Sequence, residues 1–224
     1  MLDPEYSFNS GFALFSVSIV VARTYSLIQR KSPVPRTTTW SCTCGNVEAH
    51  VCVSTRNIPS AECYCGDCSA FANYMITVKK SPVNVLNDKG GVFMVQLFKD
   101  EFAFTKGKSN VRRAKLNEKT FVERLYVSCC NTPLGLVPNL DCYPMLVCYL
   151  DNFADKSLFG PAWWRLNCRN VAVKSWKDSA IVDDNMSISF CLFTLGRFLY
   201  GLALRRGHPN PLEGTDKSIT YVDT

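Results

Sequence analysis

Cys63-Tyr64-Cys65-Gly66-Asp67-Cys68 places three thiols within six residues, in a C-x-C-x-x-C pattern. A core strand has no use for three sulfurs this close together. Gly66-Asp67 is a turn signal, and a turn lets thiols on both sides of it converge on one ion. Cysteine thiolates hold zinc at about 2.3 Å in small tetrahedral sites. Three protein ligands leave the fourth position open, which suits a catalytic zinc better than a closed structural one. Two thiol pairs flank this trio along the chain. Cys42-x-Cys44 precedes it, and adjacent Cys129-Cys130, continuing into Asn131-Thr132-Pro133-Leu134, follows it.

The elements that must carry these thiols read mostly as strands. Trp40 to Val47 reads as a strand end bearing C-x-C and then a turn at Gly45. Val47 to Ser54 alternates, with Val47, Ala49, Val51 and Val53 on one face. His50 and Cys52 fall on the other face, and neither is expected to ligate metal. Ser69 to Tyr74 reads as a short helical turn. Gly91–Phe98, Glu101–Thr105 (closed by Lys106-Gly107), Phe121–Ser128 and Tyr143–Leu150 read as further strands. Short strands separated by polar turns predict a mainly β, mostly antiparallel architecture. One helix is expected near residues 187–206, with Ile188, Cys191, Leu195, Phe198 and Leu202 on its core-facing side and Thr194, Arg197, Gly201 and Arg205 opposite. Arg205-Arg206-Gly207 would cap it. Trp163-Trp164 is expected in a loop or short helix. Cys142, Cys148, Cys168 and Cys191 have no metal spacing and read as buried thiols.

Three segments are expected: an N-terminal extension over 1–38, a zinc-binding domain over 39–150 and a C-terminal extension over 151–224 that carries the helix. In the first, Tyr6–Ala22 is free of charge but slightly short and too rich in Ser and Asn for a membrane span. It reads as a helix docked on the domain, with a membrane-proximal anchor or a poorly ordered start as the less favoured alternatives. Ser32-Pro33-Val34-Pro35 marks the boundary. The N-terminus bears Asp3 and Glu5 where a signal peptide is basic. The C-x-C and C-x-x-C spacings among the twelve cysteines favour metal over disulfides and then point to a reducing compartment, the cytoplasm. The net charge of +6 is mild. Its one cluster, Lys106, Lys108, Arg112, Arg113 and Lys115, reads as a solvated strand edge or loop, with an anionic small-molecule substrate as the alternative, and is no strong nucleic-acid signal.

Taken in order, Cys42-x-Cys44-Gly45-x-Val47, then Cys63-x-Cys65-x-x-Cys68, then Cys129-Cys130-Asn131-Thr132-Pro133-Leu134 resembles the glutathione-dependent formaldehyde-activating enzyme and centromere protein V family. The resemblance covers residues 39 to about 137. It implies a small zinc-binding antiparallel β fold with one or two zinc ions per chain. Cys42, Cys44 and Cys130 would belong to a structural zinc, and Cys63, Cys65 and Cys68 to the functional one, with Cys65 as the candidate catalytic thiol. Arg124 stands where the family has an Arg, and Tyr126 where it has a Phe. The implied activity is carbon–sulfur lysis of a glutathione–aldehyde (S-hydroxymethyl) adduct, with Asp67 and Tyr64 the nearest candidates for a base. The alternative is a non-catalytic, zinc-stabilised binding or scaffold module. Val127 stands where the family has the first Cys of its late pair and cannot ligate metal. Cys129 either replaces it, faces the trio or stays free. Joining Cys130 on one ion requires the chain to turn there, because adjacent strand side chains point to opposite faces. Tyr64 replaces a family His and Ser69 a basic residue, departures that fall on the glutathione pocket rather than on the ligands.

Overall fold

The computed structural model describes residues 31–55, 58–171 and 178–222. The apolar run Tyr6–Ala22 lies outside them. Two sheets pack face to face. The smaller has the order β1-β2-β5, from β1 (Lys31–Ser41), β2 (Glu48–Thr55) and β5 (Phe102–Lys106). The larger has nine strands in the order β11-β10-β3-β4-β9-β8-β7-β6-β12. Its central members are β3 (Ser60–Cys63), β4 (Val92–Phe98), β9 (Met145–Tyr149), β8 (Thr132–Pro138), β7 (Val122–Val127) and β6 (Val111–Lys115). These pair antiparallel throughout. The two edges are parallel additions: β10 (Trp164–Leu166) with β11 (Ile181–Val182) beside β3, and β12 (Ile219–Tyr221) beside β6. The mainly β expectation therefore holds, with mixed edges. Residues 151–222, expected as an extension, supply three strands of this same sheet.

Strand alternation builds the core. Val47, Ala49, Val51 and Val53 are almost completely buried, and they meet Leu97, Leu125, Val127, Leu146 and Cys148 of the large sheet around Trp40. His50 is exposed and Cys52 half-buried, as their register requires. The intervening residues of the large sheet face the other way. There Tyr126 and Tyr149 pack on Phe71 and Met75 of a helix, α1 (Gly66–Thr77). The proline-rich Ser32–Pro35 stretch lies inside β1, on the edge of the small sheet, where the register slips between Lys31 and Arg36. An edge strand tolerates the missing N–H groups. Pro133 sits in β8 beside the bulge that opposes Tyr126.

The second helix, α2 (Ile188–Ala203), corrects the expected orientation. Its polar side faces the sheet. Arg197 is completely buried, with its guanidinium 4.0 Å from the centre of the Phe98 ring and donating to the Gln96 carbonyl at 3.1 Å. A Cβ at Gly201 would stand 2.6 Å from Pro144, so only glycine lets the helix come this close. The apolar residues Ile188, Leu192, Leu195, Leu199 and Leu202 are exposed instead. Helical periodicity locates an apolar stripe but does not say which side a buried cation will claim. The left-handed residue after the helix is Arg205 rather than Gly207. Trp164 begins β10, and the Trp163-Trp164 pair packs against Phe190 and Phe193 at the start of α2. Cys148 and Cys168 are buried as expected, whereas Cys142 and Cys191 are exposed. No helix among the described residues is long and apolar enough to cross a membrane.

Candidate metal centre

Both thiol groups gather at one end of the large sheet. The first forms where the β1–β2 turn meets the β7–β8 turn. β1 ends at Ser41, and Gly45, at φ +71°, turns the chain back into Val47. Cys42 N–H donates to the Val47 carbonyl at 3.0 Å, and Val47 N–H donates to the Cys42 sulfur at 3.3 Å. Across from this knuckle, residues 128–131 turn, with Asn131 left-handed at φ 55°. That turn lets two consecutive cysteines face one point. The sulfurs of Cys42, Cys44, Cys129 and Cys130 all lie within 4.8 Å of one another. Individual separations are 3.5 Å for Cys42–Cys44, 3.8 Å for Cys42–Cys129, 3.5 Å for Cys44–Cys129 and 3.9 Å for Cys129–Cys130. A tetrahedral zinc with sulfurs at about 2.3 Å needs S–S edges of about 3.8 Å. The quartet fits that figure. Cys129 thus stands with Cys42, Cys44 and Cys130, while Val127 is fully buried in the core.

Two threonines tie the halves together. Thr132 Oγ1 lies 3.0 Å from Thr43 Oγ1 and 3.0 Å from the Cys130 sulfur. Burial raises the Cys130 thiol, but hydrogen bonds from Thr132 and Thr43 overcome it and bring the pKa down to about 6. Burial pushes Cys42 and Cys129 up. The knuckle is also buttressed from β5. Lys106 Nζ donates to the Gly45 carbonyl at 2.8 Å, and Gly107, at φ +68°, sits so close that a Cβ would stand 2.0 Å from the Asn46 carbonyl oxygen. Gly107→Ala is therefore expected to cost about 2–4 kcal/mol, from left-handed strain plus a backbone clash. Thermal melting checks this, and an unchanged Tm would mean the knuckle shifts freely.

The second group joins β3 to α1. Cys63 ends β3, pinned between Val92 of β4 and Leu166 of β10. Cys65 is the N-cap of α1, its sulfur accepting from Cys68 N–H at 3.4 Å. Gly66-Asp67 is thus the first helical turn rather than a free turn, and the helix runs past the expected short segment. A helix start turns the chain as sharply as the expected loop and brings Cys68 back toward Cys63. The three sulfurs lie within 4.8 Å of one another, with Cys63 and Cys68 buried and Cys65 half-buried. The thiols of Cys63 and Cys68, then the N–H groups of Cys68 and Asp67, hold Cys65 as the thiolate of the three. Its thiolate in turn raises Cys63 to about 11.

Three residues outside the motif border the trio. Asn167, left-handed at φ 59° just after β10, donates from Nδ2 to the Cys63 sulfur at 3.6 Å. Tyr149 is buried on β9, and burial above all pushes its hydroxyl above its ordinary range while Arg124 opposes. Arg124 is buried on β7, with one nitrogen 3.5 Å from the Asp67 carboxylate and Nε and Nη1 without hydrogen-bond partners among the described residues. Chain order predicted Arg124 only through resemblance. It gave no sign of Asn167 or Tyr149, which reach the trio through strand pairing. Tyr64 is turned to another task, because its hydroxyl donates to Glu62 at 2.7 Å and accepts from Asn87 at 3.2 Å.

Residues 34–222 match a family of unknown function, DUF6151. The chain belongs to that family. The matched span encloses both thiol groups, α2 and all three bordering residues, so the whole arrangement lies within the family's extent. No curated protein matches the chain.

Proposed function

We propose that this member of the family is a zinc protein of the formaldehyde-activating-enzyme type, with a structural quartet and a reactive trio. The reaction proposed for it is carbon–sulfur lysis of a glutathione–aldehyde adduct. The observation that carries the reading is the contrast between the two groups. The quartet offers four sulfurs at tetrahedral spacing, whereas the trio offers three and leaves one direction to a ligand. Zinc in the trio supplies Lewis acidity that steadies a leaving thiolate.

The chain's own residues account for the rest. Asn167 and the α1 N-terminus orient the sulfurs by donating to Cys63 and Cys65. Arg124 fixes a positive charge beside the trio, its guanidinium almost wholly buried with one nitrogen 3.5 Å from the Asp67 carboxylate. The C–S bond breaks with its electron pair going to sulfur. The adduct's hydroxyl loses its proton and becomes the aldehyde carbonyl. Asp67, the exposed carboxylate within the trio, takes that proton in this reading. Twelve thiols, all free, fit a reducing cytoplasm.

The test joins metal content to protection. Native mass spectrometry with elemental analysis is expected to give two zinc ions per chain, and one in Cys65→Ser with the fold retained. S-Hydroxymethylglutathione is expected to shield Cys63, Cys65 and Cys68 from alkylation. Two zinc ions with no shielding and no aldehyde release would favour a non-catalytic binding module instead. The exposed apolar side of α2 is the observation on that side of the balance.

A further inference from the structure

A cleft of about 570 Å³ opens at the end of the large sheet opposite the thiols. Its walls come from the residue just after β4, the β8–β9 loop, the outer strands β6 and β7, and the segment that follows α2. Lys99 lines it. This residue is only 5% exposed, and its ammonium has neither a hydrogen-bond nor an ion-pair partner among the described residues. The neighbouring carboxylates are already committed. Asp100 and Glu101 both hold Arg206, the latter at 3.0 Å. Glu123 is taken by Arg113 at 2.6 Å, with Lys115 at 4.0 Å. The carboxylates left on the cleft are Asp141 and Glu213, both exposed at its rim with Lys217.

A buried ammonium without a counter-ion is costly, and proteins pair such charges. Here the described residues supply none within 4 Å, although they leave room beside the charge for a small molecule. We infer that this cleft binds a small molecule through an anionic oxygen group, a carboxylate or a phosphate, that completes Lys99. Lys115 and Lys217 stand on the same cleft to share that group, and the volume admits a ligand larger than the anion alone. Burial pushes the Lys99 ammonium below the usual lysine range, Asp141 only partly offsetting it, which is the expected condition of a cation whose partner arrives from outside. The site is separate from the thiol groups and does not depend on their metal.

The test uses the full chain at constant ionic strength, with sodium chloride as the balance. Inorganic phosphate and malonate are titrated separately by calorimetry. At least one is expected to bind saturably. Phosphate alone would assign a phosphate-bearing ligand, malonate alone a carboxylate, and both the shared chemistry. Lys99→Met is expected to weaken binding at least tenfold, and Lys119→Met, on an exposed turn, to leave it unchanged. Should Lys99→Met fail to fold, the wild-type chain serves. The bound anion is expected to slow acetylation of Lys99 at least fivefold relative to Lys119, read by mass spectrometry. Absence of saturable binding to either anion, equal affinity in Lys99→Met, or equal acetylation of both lysines overturns the inference.

Discussion

Cys42→Ser and Cys130→Ser are each expected to yield chains without native tertiary structure. The quartet joins two turns that also touch through Thr43 and Thr132. A structural zinc contributes on the order of 10–16 kcal/mol in apparent binding energy, against a typical net stability of about 5–15 kcal/mol. Losing one of four thiolates forfeits much of the first figure. It also leaves a thiol such as Cys42, 3% exposed, facing an incomplete site. Near-UV circular dichroism and metal content are the measurements. A soluble Cys130→Ser chain with a native near-UV spectrum would show that packing alone holds the two turns together.

Glu101→Ala has the second largest expected effect. Glu101 is 3% exposed and accepts from Phe98 N–H at 2.9 Å, Ser54 N–H at 3.2 Å and Arg206 at 3.0 Å, with Arg197 at 3.9 Å. Both guanidiniums also stack on Phe98, at 4.0 and 4.4 Å. Removing the carboxylate leaves the buried Arg197 and the half-buried Arg206 short of their shared anion. Breaking a buried pair from one side costs about 3–5 kcal/mol. In a chain of this size that is a fall of roughly 6–20 °C in Tm. Glu101→Gln, which keeps an acceptor for the N–H groups, is expected to lose less. A fall under about 2 °C in Glu101→Ala would mean that Asp100 takes over both arginines.

The same network explains what could be read in advance. Val47 to Val53 was legible because alternation depends on side-chain period alone. The thiol groups were legible because sulfurs at such spacings have few other uses. The orientation of α2 was not. Arg197 looks like a solvent residue in sequence, and the Gln96 carbonyl, Glu101 and the Phe98 ring, about a hundred residues earlier, help make its burial tolerable. Asn167 and Tyr149 were equally hidden, since β10 and β9 bring them to the trio from segments without a motif. Cys129 was open between three roles until the left-handed Asn131 showed that the chain turns. Lys99 gave no signal either, because a lone lysine after a strand reads as surface until its neighbours' carboxylates are seen to be engaged.

Cys44 and Cys129 are 85 positions apart in the chain. An ion shared between them therefore ties off a loop, and closing a loop of that length restricts the unfolded chain by about 4–5 kcal/mol in the chain-entropy account. Everything from β2 to β7 lies inside the loop, including Cys63, Cys65, Cys68 and α1. Dependence between the two centres is accordingly one-way. Opening the quartet releases the segment that carries the trio, whereas emptying the trio leaves the loop closed. Reactivity at Cys65 can be judged only in chains whose outer clasp is intact.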